Sequence, residues 1–243
     1  MSWEDSVKEW QDYADLDFNL KKELATLAED KDALKEAFYA PMEFGTAGMR
    51  GVMGPGINRM NIYTVRQATE GLANFMDTLD FTDKKRGVAI SFDSRYHSQE
   101  FALAAAGVLG KHGIPSFVFD SMRPTPELSY TVRELNTYAG IMITASHNPK
   151  QYNGYKIYGP DGGQMPPMES DKITEYIRQV TDIFGVEALT QSELRAKGLM
   201  TIIGEDIDLK YLEEVKTVSI NHELIQRFGA DMKLIYSPLH GTG

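Results

Sequence analysis

Tyr138-Ala139-Gly140-Ile141-Met142-Ile143-Thr144-Ala145-Ser146-His147-Asn148-Pro149 is the stretch on which the fold of this chain turns. Its first half is an apolar run rich in β-formers, the pattern of a strand buried on both faces. Its second half, Ser-His-Asn-Pro, is made of turn-forming residues. A buried strand thus delivers a serine to a tight bend, and in α/β sheets ligands bind just outside such strand ends. Pro149 and the small Ala145 stiffen the bend around Ser146.

Working outward, the same alternation recurs. Gly87 to Phe92 predicts a strand, and Ser98 a helix N-cap, with the helix end marked by Gly113 and Pro115. Pro115 to Phe119 predicts a strand and Thr125 to Leu135 a helix. Beyond the serine, Asn153-Gly154 favours a two-residue hairpin turn that folds Tyr155 to Tyr158 back and brings Lys156 toward Ser146. Helices are expected over Pro167 to Phe184, Ser192 to Lys197 and Ile207 to Ile220, with strands at Thr201 to Gly204 and Met232 to Tyr236. The fold class that follows is α/β: a mixed, largely parallel sheet sandwiched by helices, with a second similar domain begun.

Upstream, Met1 to about Tyr39 has helical periodicity in Trp3, Val7, Trp10 and again in Leu20, Leu24, Leu27. Pro41 to Asn61 interrupts it with Gly45, Gly48, Gly51, Gly54 and Gly56. Phe44, Met49 and Met53 among those glycines predict an ordered loop, since linkers are usually polar. A helix over Ile62 to Leu79 follows. The expected organisation is a helical leader over 1–40, a domain carrying the serine loop over 41–204, and the start of a second domain over 205–243, read as truncated.

The chain has 243 residues, no cysteine and a formal net charge of −10. Disulfides and thiolate metal sites are excluded, and polyanionic partners such as nucleic acid or an anionic membrane are disfavoured. No signal-peptide pattern and no membrane-spanning run are seen, so the cytoplasm is the expected compartment. Two stretches are nonetheless poor in acids. Pro41 to Thr69 sets only Glu43 against Arg50, Arg59 and Arg66, and Tyr138 to Met168 only Asp161 against His147, Lys150 and Lys156. Together they suggest a local site for a small anion.

Read alone, Ser-His-Asn-Pro is also ordinary turn chemistry, and a strand lysine is commonly a solvated edge charge. A serine hydrolase built on Ser146 and His147 is a competing reading. Neighbours along a strand point to opposite sides, and no Gly-x-Ser-x-Gly elbow is present. The histidines show no His-Glu-x-x-His spacing that would suit a metallohydrolase.

Thr144 to Pro149 followed by Asn153-Gly154-Tyr155-Lys156 resembles the active-site signature of the α-D-phosphohexomutases, the phosphoglucomutases and phosphomannomutases. Phe44-Gly45-Thr46-Ala47-Gly48-Met49-Arg50-Gly51, Phe92-Asp93-Ser94-Arg95, Pro124-Thr125-Pro126 and Ser237-Pro238-Leu239-His240-Gly241 are similar to further landmarks of that family. The resemblance implies phosphorylation of Ser146, phosphate or substrate contacts from Arg50, Thr46, Lys156 and His147, and general acid/base work by Lys156. It leaves His147 either on the phosphate or locking the loop. It implies Mg²⁺ on the phosphoserine oxygens, with aspartate ligands beyond this sequence, and glucose 1,6-bisphosphate as activator. The expected activity is interconversion of 1-phospho and 6-phospho hexoses, glucose first, with phosphomannomutase or phosphopentomutase as alternatives and the fragment alone inactive. A non-catalytic sugar-phosphate-binding module is the alternative from another class.

Overall fold

A computed structural model of the chain describes residues 2–45 and 48–237. The N-terminal stretch forms three helices, α1 Trp3–Asp12, α2 Phe18–Leu27 and α3 Lys31–Phe38. Periodicity predicts a single helical tract there. The breaks fall where aspartates start new helices: Asp17 accepts from the amides of Asn19 and Leu20, and Asp30 from those of Asp32 and Ala33. Trp10, fully buried, gathers Phe38, Tyr63 and Phe184 edge-on around its ring, which fixes the three helices to the rest of the chain.

Five more helices, α4 Ile62–Met76, α5 Phe81–Arg86, α6 Ser98–Lys111, α7 Thr125–Glu134 and α8 Pro167–Gln179, are interleaved with strands. These strands are β1 Met49–Val52, β2 Val88–Phe92, β3 Ser116–Phe119, β4 Ala139–Ile143 and β5 Tyr152–Tyr158. A short helix α9 Gln191–Ala196, strand β6 Met200–Ile203, and helices α10 Glu205–Thr217 and α11 His222–Phe228 follow. The six strands form one sheet in the order β1-β5-β4-β2-β3-β6. β4, β2, β3 and β6 run parallel; β5 is antiparallel to β4, and β1 to β5. The mixed, largely parallel α/β sheet is therefore as expected.

Each face of the sheet is covered. Ile90, Ile141, Ile143, Tyr155 and Ile157 pack with Leu72, Ala105, Leu109 and Ile173 from α4, α6 and α8. On the other face Ala89, Met142 and Tyr158 meet Leu128 and Val132 of α7. β2 and β4 are buried at every position, the state that their continuous apolar sequence dictates. α10 rests on α7, with buried Ile207 and a two-pronged ion pair from Arg123 to Asp208 at 2.6 and 2.7 Å. No helix among the described residues is long and apolar enough to cross a membrane.

Several expectations are corrected. The described part of the glycine-rich stretch is ordered as expected, but it contains edge strand β1. Buried Asn61 ties it down by donating to the carbonyls of Gly54 and Gly56 while accepting from the amides of Tyr63 and Thr64 at the start of α4. Ser98 is the first helical residue of α6, not its N-cap; His97, at φ 63°, takes that place. α8 ends at Gln179, and Phe184 leaves the helical path to stack on Tyr13. α5 carries too short a pattern to be anticipated. Asn153-Gly154 lies inside β5, not at a hairpin turn; the chain reverses earlier, between β4 and β5. Met232 to Tyr236 forms no strand, and Leu234, Ile235 and Tyr236 are exposed. A strand needs a pairing partner, and among the described residues no strand pairs with this stretch.

Candidate active site

The serine loop begins where β4 runs out. Thr144 still pairs, donating its amide to Gly154 at 3.0 Å, and its Oγ1 accepts the Ser146 amide at 2.9 Å. The carbonyl of Ala145 accepts from both the amide and the side chain of Asn148, at 3.1 and 2.8 Å. Tyr152 donates to Pro149 at 3.0 Å as the chain enters β5. Asn148 is thus the turn residue its type predicts. Inside this frame Ser146 stands exposed with φ 55°, in the left-handed region. A non-glycine residue held there carries strain of about 1 kcal/mol or more, and such strain persists only where neighbours over-determine it.

Those neighbours come from the loop after β2. Arg95 Nη2 donates to the carbonyls of Ser146 and Asn148, both at 2.6 Å, and Nη1 to those of Pro149 and Tyr152, at 2.9 and 3.0 Å. Its Nε lies 3.4 Å from Asp93 Oδ2. Asp93 Oδ1 accepts from the Arg95 amide and from Ser98 Oγ, at 2.9 and 2.8 Å. Asn153, fully buried, donates to Ser98 Oγ and to the Tyr96 carbonyl, both at 3.0 Å, and accepts from Gly154 at 2.8 Å. Asn153 is therefore a strand residue that fastens β5 to the β2–α6 loop, a correction of its reading as a turn former.

The cationic candidates lie on one face of the sheet. Arg50 on β1 opposes Gly154, and Lys156 on β5 opposes Met142. Opposed residues share a face and alternate residues repeat it, so Arg50, Gly154, Lys156, Met142 and Thr144 belong together. Two strand spacings separate Arg50 from Thr144, about 10 Å. Gly154 permits this close packing: a Cβ there would meet the Thr144 carbonyl at 2.6 Å and that of Met49 at 2.9 Å. Gly48, at φ 100°, closes against the Tyr155 carbonyl, where a Cβ would come within 3.0 Å of backbone, and it exchanges two backbone hydrogen bonds with Gly45. The glycine-rich loop is thus seated on β5 beside Lys156. Thr46 lies outside the described residues. Arg50 is exposed and Lys156 half-buried, and among the described residues neither side chain has a hydrogen-bond or ion-pair partner. Four strand positions separate the Met142–Lys156 pair from Ser146, so Lys156 sits beside the serine strand and not at the tip of the loop.

His147 is exposed, with Nδ1 3.4 Å from Ser146 Oγ. That distance is long for a hydrogen bond to a hydroxyl, and among the described residues no carboxylate orients the imidazole. A nucleophile–base pair needs both, so the geometry gives the hydrolase reading no support.

A family model described as phosphoglucomutase/phosphomannomutase, alpha/beta/alpha domain I, matches residues 41–183. This chain belongs to the phosphoglucomutase/phosphomannomutase family. It is 38% identical over 221 residues to human phosphopentomutase, covering 88% of this chain and 36% of that protein. It is 39% identical over 209 residues to the phosphoglucomutase of Staphylococcus saprophyticus, covering 84% and 36%. Among solved structures, a putative phosphomannomutase from Thermus thermophilus aligns with a TM-score of 0.57 and 28% identity, covering 73% of this chain and 36% of that one. The chain thus spans about a third of the length of these relatives. Within the phosphoglucomutase/phosphomannomutase match, the neighbouring strands β1, β5, β4 and β2 carry the glycine-rich stretch, the serine loop and Arg95.

Among the described residues no group of three or more His, Asp or Glu side chains is placed to hold a metal ion. The described residues of this phosphoglucomutase/phosphomannomutase chain therefore do not by themselves fit a Mg²⁺ cage. The residue whose role the sequence did not reveal is Arg95. Asp93-Ser94-Arg95 follows a predicted strand directly, and an acid and a base at a strand's C-terminal end are the signal that marks it.

Proposed function

We propose that this chain carries the phosphoserine segment of a sugar-phosphate mutase, an intramolecular phosphotransferase that moves a phosphoryl group between positions of one sugar through Ser146. The observation that carries the reading is the presentation of Ser146, exposed on a left-handed, braced loop at a strand end, with Arg50 and Lys156, whose side chains are unpaired among the described residues, on the adjoining sheet face. Interconversion of glucose 1-phosphate and glucose 6-phosphate is the first choice of reaction. The resemblance to proteins named phosphoglucomutase and phosphopentomutase supports a sugar phosphate and leaves mannose and pentose phosphates as the alternatives.

In the proposed step the bond from phosphorus to Ser146 Oγ breaks as a bond to a sugar hydroxyl oxygen forms. The hydroxyl's proton leaves to a base, and Ser146 Oγ recovers a proton. Lys156 is the proposed acid/base. Arg50 is the proposed ligand of the transferring or resident phosphate, because a loose anionic transition state is stabilised mainly by positioned positive charge. His147 is proposed to contact the phosphate from the loop tip. Magnesium and a sugar bisphosphate activator belong to the proposal as the resemblance implies them, as does a cytoplasmic setting with a small-molecule partner.

The test is incubation of the complete polypeptide with glucose 1,6-bisphosphate, followed by intact-mass and peptide analysis. One phosphoryl group on the peptide containing Ser146, lost in Ser146→Ala along with mutase turnover, is the expected result. Full turnover by Ser146→Ala sinks the proposal. Binding of glucose phosphate with no serine phosphorylation at all favours the non-catalytic module.

A further inference from the structure

We propose that Arg95 is the positioning residue of the serine loop, holding Ser146 in its left-handed conformation without touching phosphate or sugar. The inference rests on the phosphoserine reading for its functional consequence, and on geometry alone for the clamp itself.

Guanidinium has five N–H donors and no acceptor. In Arg95 each has a partner: the carbonyls of Ser146, Asn148, Pro149 and Tyr152 take the four on Nη1 and Nη2, and Asp93 faces Nε. Nothing is left for an incoming phosphate. The side chain is only 13% exposed, so it lies beneath the loop instead of at its mouth. Its charge is moreover balanced locally by Asp93, which weakens any role as an electrostatic partner of the reacting group.

The four carbonyls explain why an arginine is needed. They span one loop, so a single planar fork ties Ser146, three residues beyond β4, to Tyr152, the first residue of β5. Without it, carbonyl dipoles would face one another unpaired, and Ser146 would relax toward ordinary φ. Its hydroxyl would then leave the position set by the Thr144 Oγ1 contact to its amide. Arg50 offers the contrast. It is exposed and has no partner among the described residues, which makes it the arginine free to meet a ligand. The two arginines near the loop thus divide the work, one binding and one bracing.

The experiment compares the complete wild-type protein with Arg95→Lys and Arg95→Ala, and with Asp93→Asn as a milder variant that keeps the fork. Lysine keeps the charge and much of the burial but donates from one point. Two measurements are made. Amide hydrogen exchange of residues 144–152 in unphosphorylated protein should quicken about tenfold or more in Arg95→Lys, with α4 and β2 unchanged. Steady-state mutase kinetics should show kcat lowered about 100-fold, the scale of a small misplacement of a reacting group, with KM for the sugar phosphate within about twofold. Added guanidinium should recover part of the kcat of Arg95→Ala. A raised KM with unchanged kcat and unchanged loop exchange would overturn the proposal and make Arg95 a substrate ligand. Unchanged exchange in both Arg95 variants would overturn it whatever the kinetics. Absence of phosphate on Ser146 in wild type would remove the mutase reading while the exchange data still decide the clamp. If Arg95→Ala does not fold, Arg95→Lys and Asp93→Asn carry both measurements.

Discussion

Glu127 offers a quantitative test of how α10 is held against the sheet domain. It is 4% exposed, and its Oε1 is buried with no hydrogen-bond partner among the described residues. Arg123 Nε lies 3.9 Å from it, but that guanidinium is engaged by Asp208, with Asp120 3.3 Å from Nη2. Burial first, and the neighbouring Asp208 carboxylate second, push the Glu127 carboxyl up to about 7, against the pull of Arg123. Asp208 moves the opposite way, held below its ordinary value chiefly by its bond to Arg123. A carboxyl whose folded value exceeds its unfolded value takes up a proton on folding. Its contribution is therefore complete below the unfolded value of 4.5 and is lost as pH rises through about 7. The interval corresponds to about 3 kcal/mol. Asp208 contributes in the other sense, lost only as pH falls below its ordinary 3.8, and does not overlap this window.

Glu127→Gln keeps the shape of the protonated acid and removes the titration. Urea unfolding of both proteins from about pH 4 to about pH 8.5 should show wild type losing about 3 kcal/mol relative to the variant across that range. The loss should build up between the unfolded value of 4.5 and about 7 and level off above it, and exchange protection in α10 should fall in parallel. Parallel stability profiles for the two proteins would refute the reasoning. They would mean that water or a shift of α10 accommodates the Glu127 carboxylate at no cost.

Gly154→Ala places a methyl 2.6 Å from the Thr144 carbonyl and 2.9 Å from that of Met49, so it should cost about 1–3 kcal/mol or more and loosen the serine loop; an unchanged urea midpoint would show that β1 yields easily. His112 bridges Glu70 at 3.1 Å and Asp77 at 2.6 Å, and these bonds, Glu70's first, raise its value above the ordinary 6.5. The stability it adds is complete below 6.5 and lost as pH rises through the raised value, so His112→Gln should destabilise most in acid, and a pH-independent difference in melting temperature would contradict this.

The layer architecture was legible because buried parallel strands leave an unmistakable trace. Val88 to Phe92 and Ala139 to Ile143 are apolar at nearly every position, and glycine and proline mark where the helices between them stop. The serine was legible too, since an apolar run that ends in turn formers places a reactive side chain at a strand end. Asn153-Gly154 misled for a physical reason. The pair suits a hairpin turn, but it also suits a buried strand position where two backbones close in and an amide side chain finds donors and acceptors. Local propensity cannot tell these apart; the Thr144 and Met49 carbonyls decide.

Local sequence alone thus determined the strand–helix alternation, the exposed bend at Ser146 and the acid-poor stretches around it, all of which depend on neighbours within a few residues. Only the tertiary structure decided that Arg95, from a different loop, holds that bend through four carbonyls, and that Arg50 and Lys156 share a sheet face. Those relations join residues roughly 50 to 100 positions apart along the chain, and backbone acceptors carry no side-chain identity that a sequence could display.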